Sequence, residues 1–87
     1  MKITRKVQAG TMQSSDLMVF VEPAEELAVE IESTVKAQFE HLIRAKIEEL
    51  LARHDVTAGR IRITDRGALD YAIEARMEAA IRRGAEV

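Results

Sequence analysis

The hydrophobic pattern changes period along the chain, and each change predicts an element. Lys2-Ile3-Thr4-Arg5-Lys6-Val7-Gln8 sets β-branched residues among polar ones and predicts an exposed or edge strand. Leu17-Met18-Val19-Phe20-Val21 is continuously apolar, short and rich in β-branched residues, which predicts a strand partly covered on both faces. Pro23 has no N–H to give to a ladder and ends it. Leu27-Ala28-Val29-Glu30-Ile31-Glu32 alternates with period two, so Leu27, Val29 and Ile31 share a half-buried face, as the return arm of a hairpin.

After Ser33 the apolar spacing becomes helical. Val35, Phe39, Leu42, Ile43, Ile47, Leu50 and Leu51 recur at three- and four-residue intervals, with Ser33 or Thr34 as N-cap and Phe39 and Ile43 at the centre of the core. Glu40 with Arg44 and Glu49 with Arg53 have the favourable i to i+4 order on the wet face. Arg60-Ile61-Arg62-Ile63-Thr64 alternates as a strand with Ile61 and Ile63 inward, and the intervening helix predicts that it runs parallel to the strand before it. Leu69, Ala72, Ile73, Met77, Ala80 and Ile81 form a second helical stripe, started by Asp65 as a cap and stopped at Gly84, with Gly84 to Val87 expected to fray. The order is βββαβα. Burying both stripes in one core predicts an α+β fold, a small mixed four-stranded sheet with two helices packed on one face.

Composition narrows the functions available. At 87 residues, 47% hydrophobic and 32% charged, the chain reads as one folded domain over residues 1–87. A formal net charge of −2 and aromatics limited to Phe20, Phe39 and Tyr71 argue against nucleic-acid binding by a basic surface or base stacking. No apolar run is long enough to cross a bilayer and the start carries no signal-peptide pattern, so a cytoplasmic protein without membrane contact is expected. The absence of cysteine excludes disulfides, a thiolate metal site and a cysteine nucleophile.

Candidate chemistry centres on Ala9-Gly10-Thr11-Met12-Gln13-Ser14-Ser15-Asp16, small and polar residues between two strand patterns, with two adjacent hydroxyls in reach of solvent. By themselves Ser14, Ser15 and Asp16 are ordinary turn residues. His41 and His54 are too far apart on one helix to act together, and Asp65 and Asp70 are explained more simply by capping than as an acid and base couple. Arg60, Arg62 and Arg66 form a basic row, either a solvated strand face or a contact for phosphates or a neighbouring subunit. No cluster has metal-ligand spacing, and no catalytic residue is assigned.

Three blocks, in order and spanning nearly the whole chain, carry a family resemblance: Met1-Lys2-Ile3 through Ala9-Gly10-Thr11 to Ser14 and Asp16; Ser33-Thr34-Val35-Lys36-Ala37-Gln38-Phe39 with Leu51-Ala52-Arg53; and Asp65-Arg66-Gly67-Ala68-Leu69-Asp70. The chain resembles the citrate lyase acyl carrier protein, or gamma subunit, family. The resemblance implies a non-catalytic carrier whose 2'-(5''-phosphoribosyl)-3'-dephospho-CoA arm is esterified through phosphate to a serine, by position Ser14, with Ser15 as the other hydroxyl. Ser15 stands where glycine is usual, and Asp16 keeps the family's acidic position. The implied partners are the citrate lyase alpha (acyl transferase) and beta (lyase) subunits and the prosthetic-group transferase. The carrier subunit of malonate decarboxylase is the nearest alternative, and a small interaction domain without an arm is the alternative of another class.

Overall fold

A computed structural model describes residues 1–33 and 37–85, with the side chains of residues 37 and 38 left aside. The elements are β1 (Val7–Gly10), β2 (Leu17–Glu22), β3 (Leu27–Ser33), α1 (Ala37–Arg53), β4 (Gly59–Asp65) and α2 (Asp70–Gly84), in the expected order βββαβα. They form one four-stranded mixed sheet in the order β1-β2-β4-β3, with β2 antiparallel to both β1 and β4, and β3 parallel to β4.

The two strands whose sequences are most apolar on one face take the centre. Val19 lies opposite Ile63 and Val21 opposite Ile61, and all four are buried with Leu17 under the helices. Ile47, Leu50 and Leu51 from α1 and Ile73, Met77, Ala80 and Ile81 from α2 close the other side of this core. A large aliphatic residue fully buried there contributes roughly 1.5–3 kcal/mol of hydrophobic stabilisation. The opposite face of the sheet remains open, with Arg60 and Arg62 exposed and Phe20 half-buried.

The hairpin expected between β2 and β3 does not form, because β4 inserts between them. Period two shows which face of a strand is buried and says nothing of its neighbour. With Glu30 and Glu32 exposed on its wet face, β3 suits an edge, and α1 returns the chain so that β4 pairs parallel with it.

The first strand is also shorter than the pattern suggested. Lys2 makes an isolated bridge to Ala58, while the amides of Thr4 and Arg5 both donate to the Gly84 carbonyl, at 2.8 and 3.0 Å. These bonds divert the chain over the end of α2 before β1 begins. Gly84 is therefore a buried packing position in the last turn, with Ala85 buried beside it, and the fraying expected from Gly84 onward does not start there.

In α1, Ile43 is buried, whereas Phe39 is 46% exposed and Leu42 57% exposed, so Phe39 is not the core centre expected. Over the first turns of the helix the neighbour is a connection containing Gly67 and Ala68, too small to cover both large side chains. Glu49 and Arg53 form their predicted pair at 2.7 Å, but Arg44 turns away from Glu40 to donate to the Val29 carbonyl at 3.1 Å. Ser33 is the last residue of β3 and its hydroxyl donates to Asp65 at 2.9 Å, while Thr34, Val35 and the chain leading into α1, where the cap was expected, lie outside the described residues.

Candidate functional site

Thr11–Asp16 connects β1 to β2, and its shape follows from what flanks it. Gly10 has φ +100°, and a Cβ built there would lie 1.9 Å from the Leu17 carbonyl oxygen. Only glycine lets the two strands close this tightly, and the Thr11 amide then donates to that same oxygen at 3.1 Å. Within the loop, Gln13 N–H donates to the Thr11 hydroxyl at 3.2 Å and Asp16 N–H to the Gln13 carbonyl at 3.2 Å.

The loop is also fastened to the connection between β4 and α2. Ser15 N–H donates to the Arg66 carbonyl at 2.8 Å, and Arg66 N–H donates to the Asp16 carbonyl at 2.9 Å. Asp16 is the anchor. One carboxylate oxygen accepts from Leu17 N–H at 2.8 Å and Arg76 Nε at 3.1 Å; the other accepts from the Thr11 hydroxyl at 2.7 Å and Arg76 Nη2 at 2.8 Å. The Arg76 guanidinium, followed by the Thr11 hydroxyl, holds this carboxyl well below the usual carboxylate range. Its side chain is only 14% exposed, so the pairing is partly sheltered from solvent. With both oxygens occupied by protein donors, Asp16 acts as a brace for the loop.

Above this brace, Ser14 and Ser15 are exposed, and among the described residues neither hydroxyl has a hydrogen-bond partner. Ser15 has φ +64°, in the left-handed region where glycine costs least. This conformation is the physical counterpart of a glycine at that position. Ser14 carries no such constraint and is exposed in the middle of the loop.

The other candidates are placed elsewhere. Asp65 is buried, accepts from the Ser33 hydroxyl at 2.9 Å and from Ala68 N–H at 3.0 Å, and so ties β3 to the turn before α2. The cap position of α2 is Leu69, without a side-chain bond, so Asp65 does not cap the helix; Asp70 lies in the first turn. Arg60 pairs with Glu22 at 3.6 Å and Glu30 at 2.9 Å, and Arg62 lies 5.2 Å from the centroid of the Phe20 ring. Arg66 belongs to the loop contact through its backbone. His41 is exposed, and His54 follows the end of α1, 3.7 Å from Glu78. Arg76 and Thr11 were not legible as site residues, since Arg76 lies sixty positions from Asp16 and on a different element. A loop acid between small polar residues signals a turn, not its distant partner.

A family profile described as "Malonate decarboxylase delta subunit (MdcD)", of the acyl carrier proteins, matches residues 4–84. The chain is 43% identical over 86 residues to a citrate lyase acyl carrier protein of Haemophilus influenzae, covering 99% of this chain and 90% of that one. It is 47% identical over 87 residues to a citrate lyase acyl carrier protein of Cronobacter sakazakii, with the same coverage. In structure it is similar to a chain of a Pseudomonas malonate decarboxylase hetero-tetramer in complex with malonate, with TM-score 0.75 and 21% identity over 91% of this chain and 82% of that one, a likeness of fold. With a profile match and relatives that each span nearly its full length, the chain belongs to the acyl carrier protein family of citrate lyase and malonate decarboxylase.

Proposed function

We propose that this chain is the acyl carrier subunit of a citrate lyase, with its arm, 2'-(5''-phosphoribosyl)-3'-dephospho-CoA, joined to Ser14 as a phosphate ester. The observation that carries the reading is the exposed Ser14 hydroxyl, without a hydrogen-bond partner among the described residues, in a braced loop of a chain from a family of carriers. The residues present suit such a group. An arm bonded at this exposed serine displaces no packed side chain, and the Asp16 brace below it leaves the serine oxygen unengaged. Once attached, the arm supplies a thiol that holds acyl groups as thioesters.

For the chain itself, little chemistry is required. In loading, the Ser14 oxygen bonds to phosphorus of an activated phosphoanhydride precursor as the bond to the departing phosphate breaks, and the hydroxyl proton passes to a base of the transferase. No base is needed beside Ser14 within this chain. The sheet and helices would hold the loop stem and present a group carried on Ser14 to the alpha and beta subunits as an intramolecular reactant, at an effective concentration of about millimolar for a short flexible link. The chain would catalyse neither acyl exchange nor cleavage of citrate to acetate and oxaloacetate, and would work in the cytoplasm as one carrier domain over residues 1–87.

Malonate decarboxylase is the second reading, favoured by the description of the matching family profile. Relatives of 43–47% identity named for citrate lyase support the first. The test is peptide mapping of protein isolated from its native host while it ferments citrate. A covalent addition on Ser14, lost in Ser14→Ala, is the expected result. An addition on Ser15 moves the site, unmodified serines in an active complex overturn the carrier reading, and copurified decarboxylase subunits with a malonyl thioester establish the second.

A further inference from the structure

Ser14 and Ser15 are the two central residues of a β-turn, Gln13–Asp16, closed by the Asp16 N–H on the Gln13 carbonyl at 3.2 Å. Positive φ at Ser15 but not at Ser14 is the pattern of a type II turn. Across from it stands Arg66, which accepts from Ser15 N–H at 2.8 Å and donates to the Asp16 carbonyl at 2.9 Å. Two successive residues facing one, the first in the left-handed region, make a β-bulge that extends the β2–β4 ladder into the serine turn. Residues facing one another across such a ladder lie about 5 Å apart at Cα, so a group on Ser14 is within the span of the long Arg66 side chain.

The charges around the turn are already matched, with one exception. Asp16 has both oxygens filled, and the Arg76 fork is committed to it. Arg60 is paired with Glu22 and Glu30, and Arg62 lies over Phe20. The Arg66 side chain is exposed and, among the described residues, makes no hydrogen bond or ion pair. Its neighbour Asp65 is buried and engaged by Ser33 and Ala68, and the exposed Asp70 forms no ion pair with it. Ser14 N–H also has no acceptor among the described residues. A phosphate ester on the Ser14 oxygen adds an anion two residues from the Asp16 carboxylate. The planar guanidinium of an arginine suits two phosphate oxygens at once, and a phosphate oxygen accepts well from a backbone N–H.

We propose that Arg66 is a phosphate-binding residue of the carrier: its guanidinium, together with Ser14 N–H, bonds the phosphate ester on Ser14 and holds the root of the arm against the loop. The inference rests on the carrier reading and names the residue that binds the group at its site. Because Arg66 ties down the loop through its backbone, Arg66→Gln and Arg66→Lys are expected to keep the fold. The apo chain, and the same chain loaded by the transferase of its host, are treated with phenylglyoxal, which condenses with free guanidinium groups, and rates at single arginines are read by peptide mapping. In the loaded chain Arg66 is expected to react about fivefold more slowly at low ionic strength. That protection is expected to fade at about 1 M salt, where the screening length is about 3 Å. Arg82, exposed in the last turn of α2, is expected to react alike in both forms and serves as the internal control. The phosphorus NMR signal of the serine ester is expected to move in loaded Arg66→Gln, to be restored in part by Arg66→Lys, which keeps the charge without the fork, and to stay in place in Arg82→Gln. Equal Arg66 rates in the apo and loaded chains overturn the proposal. So does protection that survives high salt, which makes it mere cover by the bulk of the arm, or protection that begins only when the alpha and beta subunits are added, which gives Arg66 to a neighbouring subunit. If no serine is loaded at all, the carrier reading itself fails, a result distinct from each of these.

Discussion

Arg76 of α2 grips Asp16 of the β1–β2 loop with two hydrogen bonds, 3.1 Å from Nε and 2.8 Å from Nη2, one to each carboxylate oxygen. The fork matches the carboxylate geometry, and the contact ties the start of β2 to a helix far along the chain. Asp16→Ala removes this grip together with the bonds from Thr11 and Leu17. It is expected to cost about 1–2 kcal/mol, the range for hydrogen bonds to a charged group discounted for the half-exposed guanidinium. Thermal unfolding checks this, with a fall of about 4–8 °C in Tm for each kcal/mol in a domain of this size.

The same carboxylate sets a pH dependence. Its folded-state pKa lies below the unfolded value, so unfolding takes up a proton in the acid range and the stabilisation is complete above about pH 5. It is lost progressively as pH falls below about 4, through the folded-state value. The Tm difference between the unchanged chain and Asp16→Asn, measured from pH 7 to pH 2, is expected to shrink across that acid window. A difference that stays constant would show that ionisation of Asp16 contributes nothing.

Ser15 occupies the left-handed region at φ +64°. Such a conformation costs a residue with a side chain roughly 1–2 kcal/mol, of which the greater freedom of unfolded glycine returns about 0.5–1. Ser15→Gly is therefore expected to be neutral to stabilising by up to about 1 kcal/mol in urea titration, and to keep acyl loading. Ser15→Val, β-branched at a positive φ, should instead destabilise.

Gly84 is packed too closely for any side chain. A Cβ there would lie 2.8 Å from Val21 Cγ2 and 3.3 Å from Val7 Cγ2, both on stiff β-branched residues of the sheet. Overpacking of about 1–3 kcal/mol outweighs the roughly 1 kcal/mol that alanine gains over glycine in a helix. Gly84→Ala is expected to lower stability by urea unfolding, and Val21→Ala in the same background to recover part of the loss.

Two positions on one helical stripe should respond very differently. Ile47 is fully buried, and Ile47→Ala is expected to cost about 2–5 kcal/mol. Phe39→Ala, at a half-exposed position, should cost less than about 1 kcal/mol. Parallel denaturation curves separate the two.

These contrasts show where reading by pattern reaches its limit. Alternation placed Ile61 and Ile63 inward, and the apolar run Leu17–Val21 marked a strand, because both are local consequences of a pleated backbone. Helical spacing located both helices for the same reason. Spacing does not reveal how far a neighbour extends along a stripe, and so it misjudged Phe39, which faces a turn of small residues. It likewise took β3 for the partner of β2, since a strand's period is silent about which strand lies beside it.

The order of elements, the mixed sheet expected of it, the buried faces of its strands and the loop with Ser14 at its centre were determined by the sequence alone, since each depends on residues near one another in the chain. The tertiary structure decided the rest: β4 between β2 and β3, the Arg76 grip on Asp16, the left-handed Ser15 and the Arg66 backbone against the serine loop. Each of these depends on groups that meet only after the helices have closed over the sheet, and no local period records such a meeting.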